Sequence, residues 1–141
     1  MILYVESSAA LRAVLGGESE DGIRDLLADE KQVVITSRLT LAEVARVLAW
    51  LRAVRPADAV RATAREAVFT SAAELWTVHP VDEEVLHRCG RAFPFEPVRT
   101  LDAIHLATIE RIGRGVDLLT VLSTDDRVRR NAEALGFEVR P

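Results

Sequence analysis

Four carboxylates stand among apolar neighbours in this 141-residue chain: Glu6 closing ILYVE, Glu43 in TLAEVARVL, Asp102 in RTLDAIHLA, and Asp126 in LSTDDRVRR with Asp125 beside it. One acid in the first turn of a helix needs no chemistry to explain it, because the helix dipole stabilises it by roughly 0.3–1 kcal/mol. Four acids that converge are a different case. They repel one another, and burial adds to the cost unless a cation neutralises them. An all-oxygen, carboxylate-rich set suits magnesium or manganese better than zinc or copper. Such an ion lowers the pKa of bound water and stabilises charge on a leaving oxygen. The chemistry implied is metal-assisted hydrolysis of a nucleic-acid backbone.

Strand and helix patterns alternate along the chain, and they place these acids. Ile2 to Val5 is a short continuous apolar run that fits a strand covered on both faces. Ser7 or Ser8 can cap a helix that runs to Leu15 and stops at Gly16 and Gly17. Glu20 to Asp29 predicts a second helix and Val33 to Thr36 a second strand. A third helix, capped by Ser37 or Thr40, carries the stripe Leu41, Val44, Ala45 and Leu48 toward Trp50. Pro56 suits the first turn of a fourth helix, to Leu75. Trp76 to His79 predicts a strand and Val81 to Phe93 a helix, whereas FPFEPVR, with two prolines, predicts a loop. Thr100 caps a helix from Leu101 to Ile112. Leu118 to Ser123 then predicts a strand, Asp126 to Leu135 a helix, and Phe137 to Val139 a closing strand.

Strands separated by helices favour a parallel sheet covered by helices on both faces. Ligands of such sheets gather at the carboxyl ends of the strands. Glu6 ends the first strand, and Asp125 and Asp126 follow the fourth in the same way.

Composition bounds the rest. The length and the 49% hydrophobic content suit a single domain over residues 1–141 with an aliphatic core. The one cysteine, Cys89, excludes an internal disulfide. No apolar run approaches the ~18 residues of a membrane span, and no basic leader opens the chain, so a reducing, cytoplasmic setting is expected. A net charge of −4 gives no global pull toward nucleic acid. A polyanion must bind locally, and arginine supplies nearly all the basic groups. Arg99, just before the Asp102 helix, can reach a phosphate at that helix's N-terminus.

The segments YVESSAAL, TLAEVARVL, RTLDAIHLAT and LSTDDRVRRNAEALGFEV, in this order and spacing, resemble the PIN domain, and most of all the VapC toxins of bacterial toxin–antitoxin pairs. The likeness spans essentially the whole chain. It implies a three-layer α/β/α fold with a central parallel five-stranded sheet and an endoribonuclease that depends on Mg2+ or Mn2+. It also implies a homodimer, and inhibition by a VapB-like antitoxin in a hetero-oligomer. By position, the resemblance places metal-binding acids at Glu6, Asp102 and Asp126, and a catalytic acid at Glu43. Thr124 and Asp126 match the family's T-x-D pattern, Asp125 is the middle residue that can substitute, and Ser8 matches a small polar position near the metal. Glu6 stands where the family has aspartate.

Other readings compete. A phosphoacceptor receiver domain wants a late lysine, and Lys31, the only lysine, lies early. A PIN-like domain that binds RNA or a protein without cleaving is the alternative, with Glu6 as its sign. His105 reads as a helix-packing or supporting histidine, Cys89 as a small core residue, and Trp50 and Trp76 as core or dimer contacts. Because glutamate adds a methylene and magnesium tolerates poor octahedral geometry badly, the sequence expects more activity with manganese than with magnesium. On the same ground it expects Glu6→Asp to raise magnesium-dependent cleavage.

Overall fold

The computed structural model describes Met1–Pro141. The chain runs β1 (Ile2–Val5), α1 (Ser7–Leu15), a 3-10 turn (Glu18–Glu20), α2 (Asp21–Ala28), β2 (Val33–Ser37), α3 (Arg38–Val54), α4 (Pro56–Ala73) and β3 (Thr77–His79). It continues α5 (Glu83–Cys89), α6 (Thr100–Gly113), β4 (Leu119–Leu122), α7 (Asp126–Ala134) and β5 (Glu138–Arg140). The five strands form one sheet in the order β3-β2-β1-β4-β5, and every pairing is parallel. This is the three-layer architecture expected.

Strand order decides which helices cover which face. From β1 to β2 to β3 the chain steps outward in one direction, and right-handed crossovers keep α1 to α4 on one side. It then returns across the sheet to β4 and steps the opposite way to β5, which puts α5 to α7 on the other side. The apolar clusters record this division. Val5, Val34 and Leu122 pack with Val14, Leu48 and Phe69 on one face, whereas Tyr4, Ile35 and Val121 pack with Val85, Leu106 and Val128 on the other. Alternation along β1 sends Tyr4 and Val5 to opposite layers, as a two-period strand requires.

The reversal of direction falls between β1 and β4, which are paired from Ile2 with Leu119 to Val5 with Leu122. At such a switch point the loops leave to opposite sides and open a crevice beyond the strand ends. Glu6 and Ser123 are the residues that immediately follow these two strands.

Most element ends differ from the sequence reading by one or two residues, and at α1, α5 and α6 the reason is local. The cap of α1 is Glu6, whose side chain accepts from the Ser8 amide at 3.1 Å, so both serines lie inside the helix. Helix α5 closes at Cys89 because its last carbonyls turn onto the Gly90 amide. Thr100 is the first residue of α6, which has no side-chain cap. The loop that follows α5 is held by Glu96, whose carboxylate accepts from the Phe93 amide at 3.0 Å and the Val98 amide at 2.6 Å. Trp76 packs edge-on against Phe69 with centroids 5.4 Å apart, whereas Trp50 is 46% exposed and outside the core.

Gly16 closes α1 where a Cβ would stand 2.5 Å from the Arg12 carbonyl oxygen and 2.3 Å from Cγ of Glu20. Backbone cannot yield there as a flexible side chain can. Gly16→Ala is expected to destabilise the protein by about 1–3 kcal/mol, the usual cost of overpacking, as read from the midpoint of urea unfolding.

Candidate active site

The end of β1 is fixed by backbone and hydroxyl bonds before any acid is placed. Thr36 and Thr40 hydroxyls donate to the Val5 carbonyl at 2.7 and 3.3 Å, and the Glu6 amide donates to the Leu122 carbonyl at 3.0 Å. Glu6 thus starts from a rigid strand end, and it is only 4% exposed. Its Oε2 accepts from the Ser8 amide and the Ser8 hydroxyl and from the Ser123 hydroxyl at 2.8 Å. Three donors to one oxygen offset much of the cost of burying the charge. Its Oε1 lies 3.7 Å from Nε2 of His105.

His105 is the hub. It is 1% exposed on α6, with Nε2 2.8 Å from Glu43 Oε2 and 2.8 Å from Ser7 Oγ. Nδ1 lies 2.8 Å from the Tyr4 hydroxyl, and Ser7 also donates to Glu43. Burial, then the nearby Glu6 charge, pushes the Tyr4 hydroxyl well above its ordinary pKa. Tyr4 therefore keeps its proton, and because Ser7 gives its own proton to Glu43, Nε2 of His105 is the donor to both Ser7 and Glu43. Burial raises the Glu43 pKa, but the bonds from His105 and Ser7 and the charge His105 can carry outweigh it, so the carboxyl is held below its usual value.

The remaining candidates lie around this core without joining it. Asp102 is half-buried in the first turn of α6 and pairs with Arg127 Nη1 at 3.2 Å. Asp125 caps α7, accepting from the amides of Arg127 and Val128 at 2.9 and 3.0 Å. Asp126, in the first turn of α7, is exposed and lines a surface cavity beside Phe95. Thr124 contributes its amide, which donates to Ser8 Oγ at 2.8 Å. The hydroxyl that meets Glu6 belongs to Ser123. Arg99 is exposed at the start of α6.

Glu6 and Glu43 meet through His105, Asp102 pairs with Arg127, and Asp126 is exposed in the first turn of α7. No group of three or more Asp, Glu, His or Cys side chains is gathered to hold a metal ion. The donor chemistry is that of magnesium or manganese: internal donors take Oε2 of Glu6, Oε2 of Glu43 and Oδ2 of Asp102, which leaves the second oxygen of each acid without a hydrogen bond and able to meet a cation.

Sequence reasoning passed over Ser7, Ser123, Tyr4 and Arg127 as site residues, and it read His105 as a helix-packing or supporting histidine, of which the supporting role is what the contacts with Glu43 and Glu6 show. One signal pointed to the histidine: three residues after Asp102, it lies near that acid on the helix surface. Nothing in the local sequence marks Arg127, because its role depends on α7 lying across the start of α6.

Comparison with known proteins agrees with this architecture. Residues 3–134 match the family model of the PIN domain. The chain belongs to the PIN-domain family. Its relatives include Ribonuclease VapC46 of Mycobacterium tuberculosis, 36% identical over 137 residues that cover 97% of this chain and 95% of that one. Among solved structures, the M. tuberculosis toxin VapC20, which cleaves the sarcin–ricin loop, superposes with a TM-score of 0.63 at 23% identity, covering 99% of each chain. VapBC2 of Rickettsia felis, bound to a DNA fragment from its promoter, gives a TM-score of 0.63 at 11% identity, covering 99% of this chain and 98% of that one. At these identities the two structures speak for the fold.

Because the Glu43 carboxyl titrates low in the folded protein, its contribution to stability is present above the unfolded glutamate pKa. It is lost as pH falls through the lower folded value. NMR titration of Glu43 is expected to give a midpoint below ~4.3, the ordinary glutamate value. His105→Gln should move that midpoint up, and a midpoint indifferent to this change would remove His105 as its cause.

Proposed function

We propose that this chain is an endoribonuclease that hydrolyses RNA phosphodiester bonds as the toxin of a toxin–antitoxin pair, with Mg2+ or Mn2+ as its cofactor. It acts as one PIN domain in the cytoplasm, as a homodimer held in a hetero-oligomer by a VapB-like antitoxin. The observation that carries this reading is a buried carboxylate, Glu6, fixed at the β1–β4 switch point of a PIN fold. The kinship with ribonucleases called VapC supports it.

Glu6, Glu43, Asp102 and Asp126 are the proposed catalytic acids, with Glu6, Asp102 and Asp126 for the metal. Ser8, Arg99, Thr124 and Asp125 support them. A bound cation would supply charge for the developing oxyanion and a more acidic water. The chain's own part is clearer in outline. His105 and Ser7 hold Glu43 ionised, and Ser8 and Ser123 orient Glu6. Arg99 stands at the α6 N-terminus, where amides and guanidinium both favour phosphate. For the antitoxin, a cleft lined by Val14, Leu15, Leu51 and Ala62, edged by Asp58 and Arg61, offers an apolar seat between α1, α3 and α4.

Asp102→Asn is expected to lower cleavage of total cellular RNA by at least about 100-fold, as loss of a metal-site group does, with an unchanged far-ultraviolet circular dichroism spectrum. Full activity in excess chelator would overturn the cofactor assignment. Full activity of the variant would overturn the role of Asp102.

For Glu6 the hydrogen bonds support the opposite of the sequence expectation. The longer side chain is what lets Oε2 reach Ser8 and Ser123 at once. Glu6→Asp is expected to lower cleavage at every magnesium concentration. A rise would restore the reading of Glu6 as a poorly placed ligand.

A further inference from the structure

Phe95 sits on the loop between α5 and α6 with 45% of its surface exposed, yet the chain holds it rigidly. Asn131, fully buried on α7, turns its side chain to this segment: Oδ1 accepts from the Phe95 amide at 2.8 Å, and Nδ2 donates to the Phe95 carbonyl at 3.1 Å and to the Arg127 carbonyl of its own helix at 3.0 Å. Glu96 ties the flanking amides of Phe93 and Val98. A buried amide used this way fixes the backbone while leaving the ring in solvent. The Arg130 guanidinium lies over the ring, 4.5 Å from its centroid.

Beside the ring is a cavity of about 370 Å3, lined by Phe95, Pro97, Asp126, Arg127, Arg130 and Asn131 among others. That volume falls within the roughly 300–1,000 Å3 of ligand clefts. The charges in it are unequal in availability. The Glu96 carboxylate is occupied by the loop amides, leaving Asp126 against two arginines. Arg127 joins the cavity to the candidate active site, since it lines the cavity and its Nη1 meets Asp102 at 3.2 Å.

We propose that this cavity is a subsite for the RNA nucleotide next to the cleaved phosphate, with the base stacked on Phe95 and the sugar–phosphate backbone met by Arg130 and Arg127. The proposal rests on the ribonuclease reading above and adds to it where the neighbouring nucleotide lies. An exposed aromatic on a fixed loop, flanked by guanidinium groups, is how single-stranded nucleic acid is held without base-edge contacts. Such a contact tolerates any base, so it positions the strand and leaves sequence choice to other groups.

The test is binding of a fluorescein-labelled single-stranded oligoribonucleotide, followed by anisotropy in excess chelator so that no cleavage intervenes. Phe95→Leu is expected to weaken binding about 5- to 100-fold, the range of one base–aromatic stack, and Phe95→Trp to bind at least as well as the parent. An abasic oligonucleotide of the same length should bind parent and Phe95→Leu alike. With metal restored, Phe95→Leu should raise KM more than it lowers kcat. Equal affinity of parent and Phe95→Leu for the intact oligonucleotide would overturn the subsite, and a changed oligomeric state alongside it would reassign the ring to a protein contact. If the parent cleaves RNA while Phe95→Leu binds normally, only the subsite fails. If the parent neither binds nor cleaves RNA, the ribonuclease reading fails with it.

Discussion

A carboxylate at the end of a central strand has to be met by donors, and much of this molecule is arranged around that requirement. Glu6 is 4% exposed, and an uncompensated charge at such a position costs several kcal/mol. The donors come from elements far apart in sequence. Ser8 follows on the same helix, and Ser123 lies beyond β4, within reach only because β1 and β4 are paired in register. The order of the strands is thus a condition for burying this one charge.

The second layer of the site answers the same requirement from the opposite face. His105 reaches past the strand end from α6 to meet Tyr4 of β1, Ser7 of α1 and Glu43 of α3. Four elements therefore share one imidazole. The ring presents its Nε2 proton toward Glu43 and Ser7. The result is a polar network inside an aliphatic interior, in which each member satisfies another.

Legibility in the sequence followed the range of the interactions. The strands and helices were readable because hydrophobic period and capping are local, and the alternation of β and α was enough to predict a parallel sheet. Glu6 and Glu43 were readable as candidate site acids because each interrupts an apolar pattern. What could not be read was which hydroxyl meets which carboxylate. Ser123 and Thr124 are adjacent and similar, and only the exit angle of β4 decides that Ser123 faces Glu6 while Thr124 offers its amide. Asp125 and Asp126 posed the same problem, settled by α7 taking Asp125 as its cap. Arg127 gave no signal, since its partner lies 25 residues away on another helix.

The pairing of Arg127 with Asp102 couples two places that a charged ligand can visit. An anion that draws the guanidinium toward the Phe95 cavity uncovers the carboxylate, and a cation on the carboxylate releases the guanidinium. Thermodynamic linkage makes the two effects equal in size, so each ligand strengthens the other by the same factor. If a metal meets Asp102 and RNA the Phe95 cavity as proposed, the contact is a reciprocal lock, one that favours substrate and counter-ion arriving together over either of them alone.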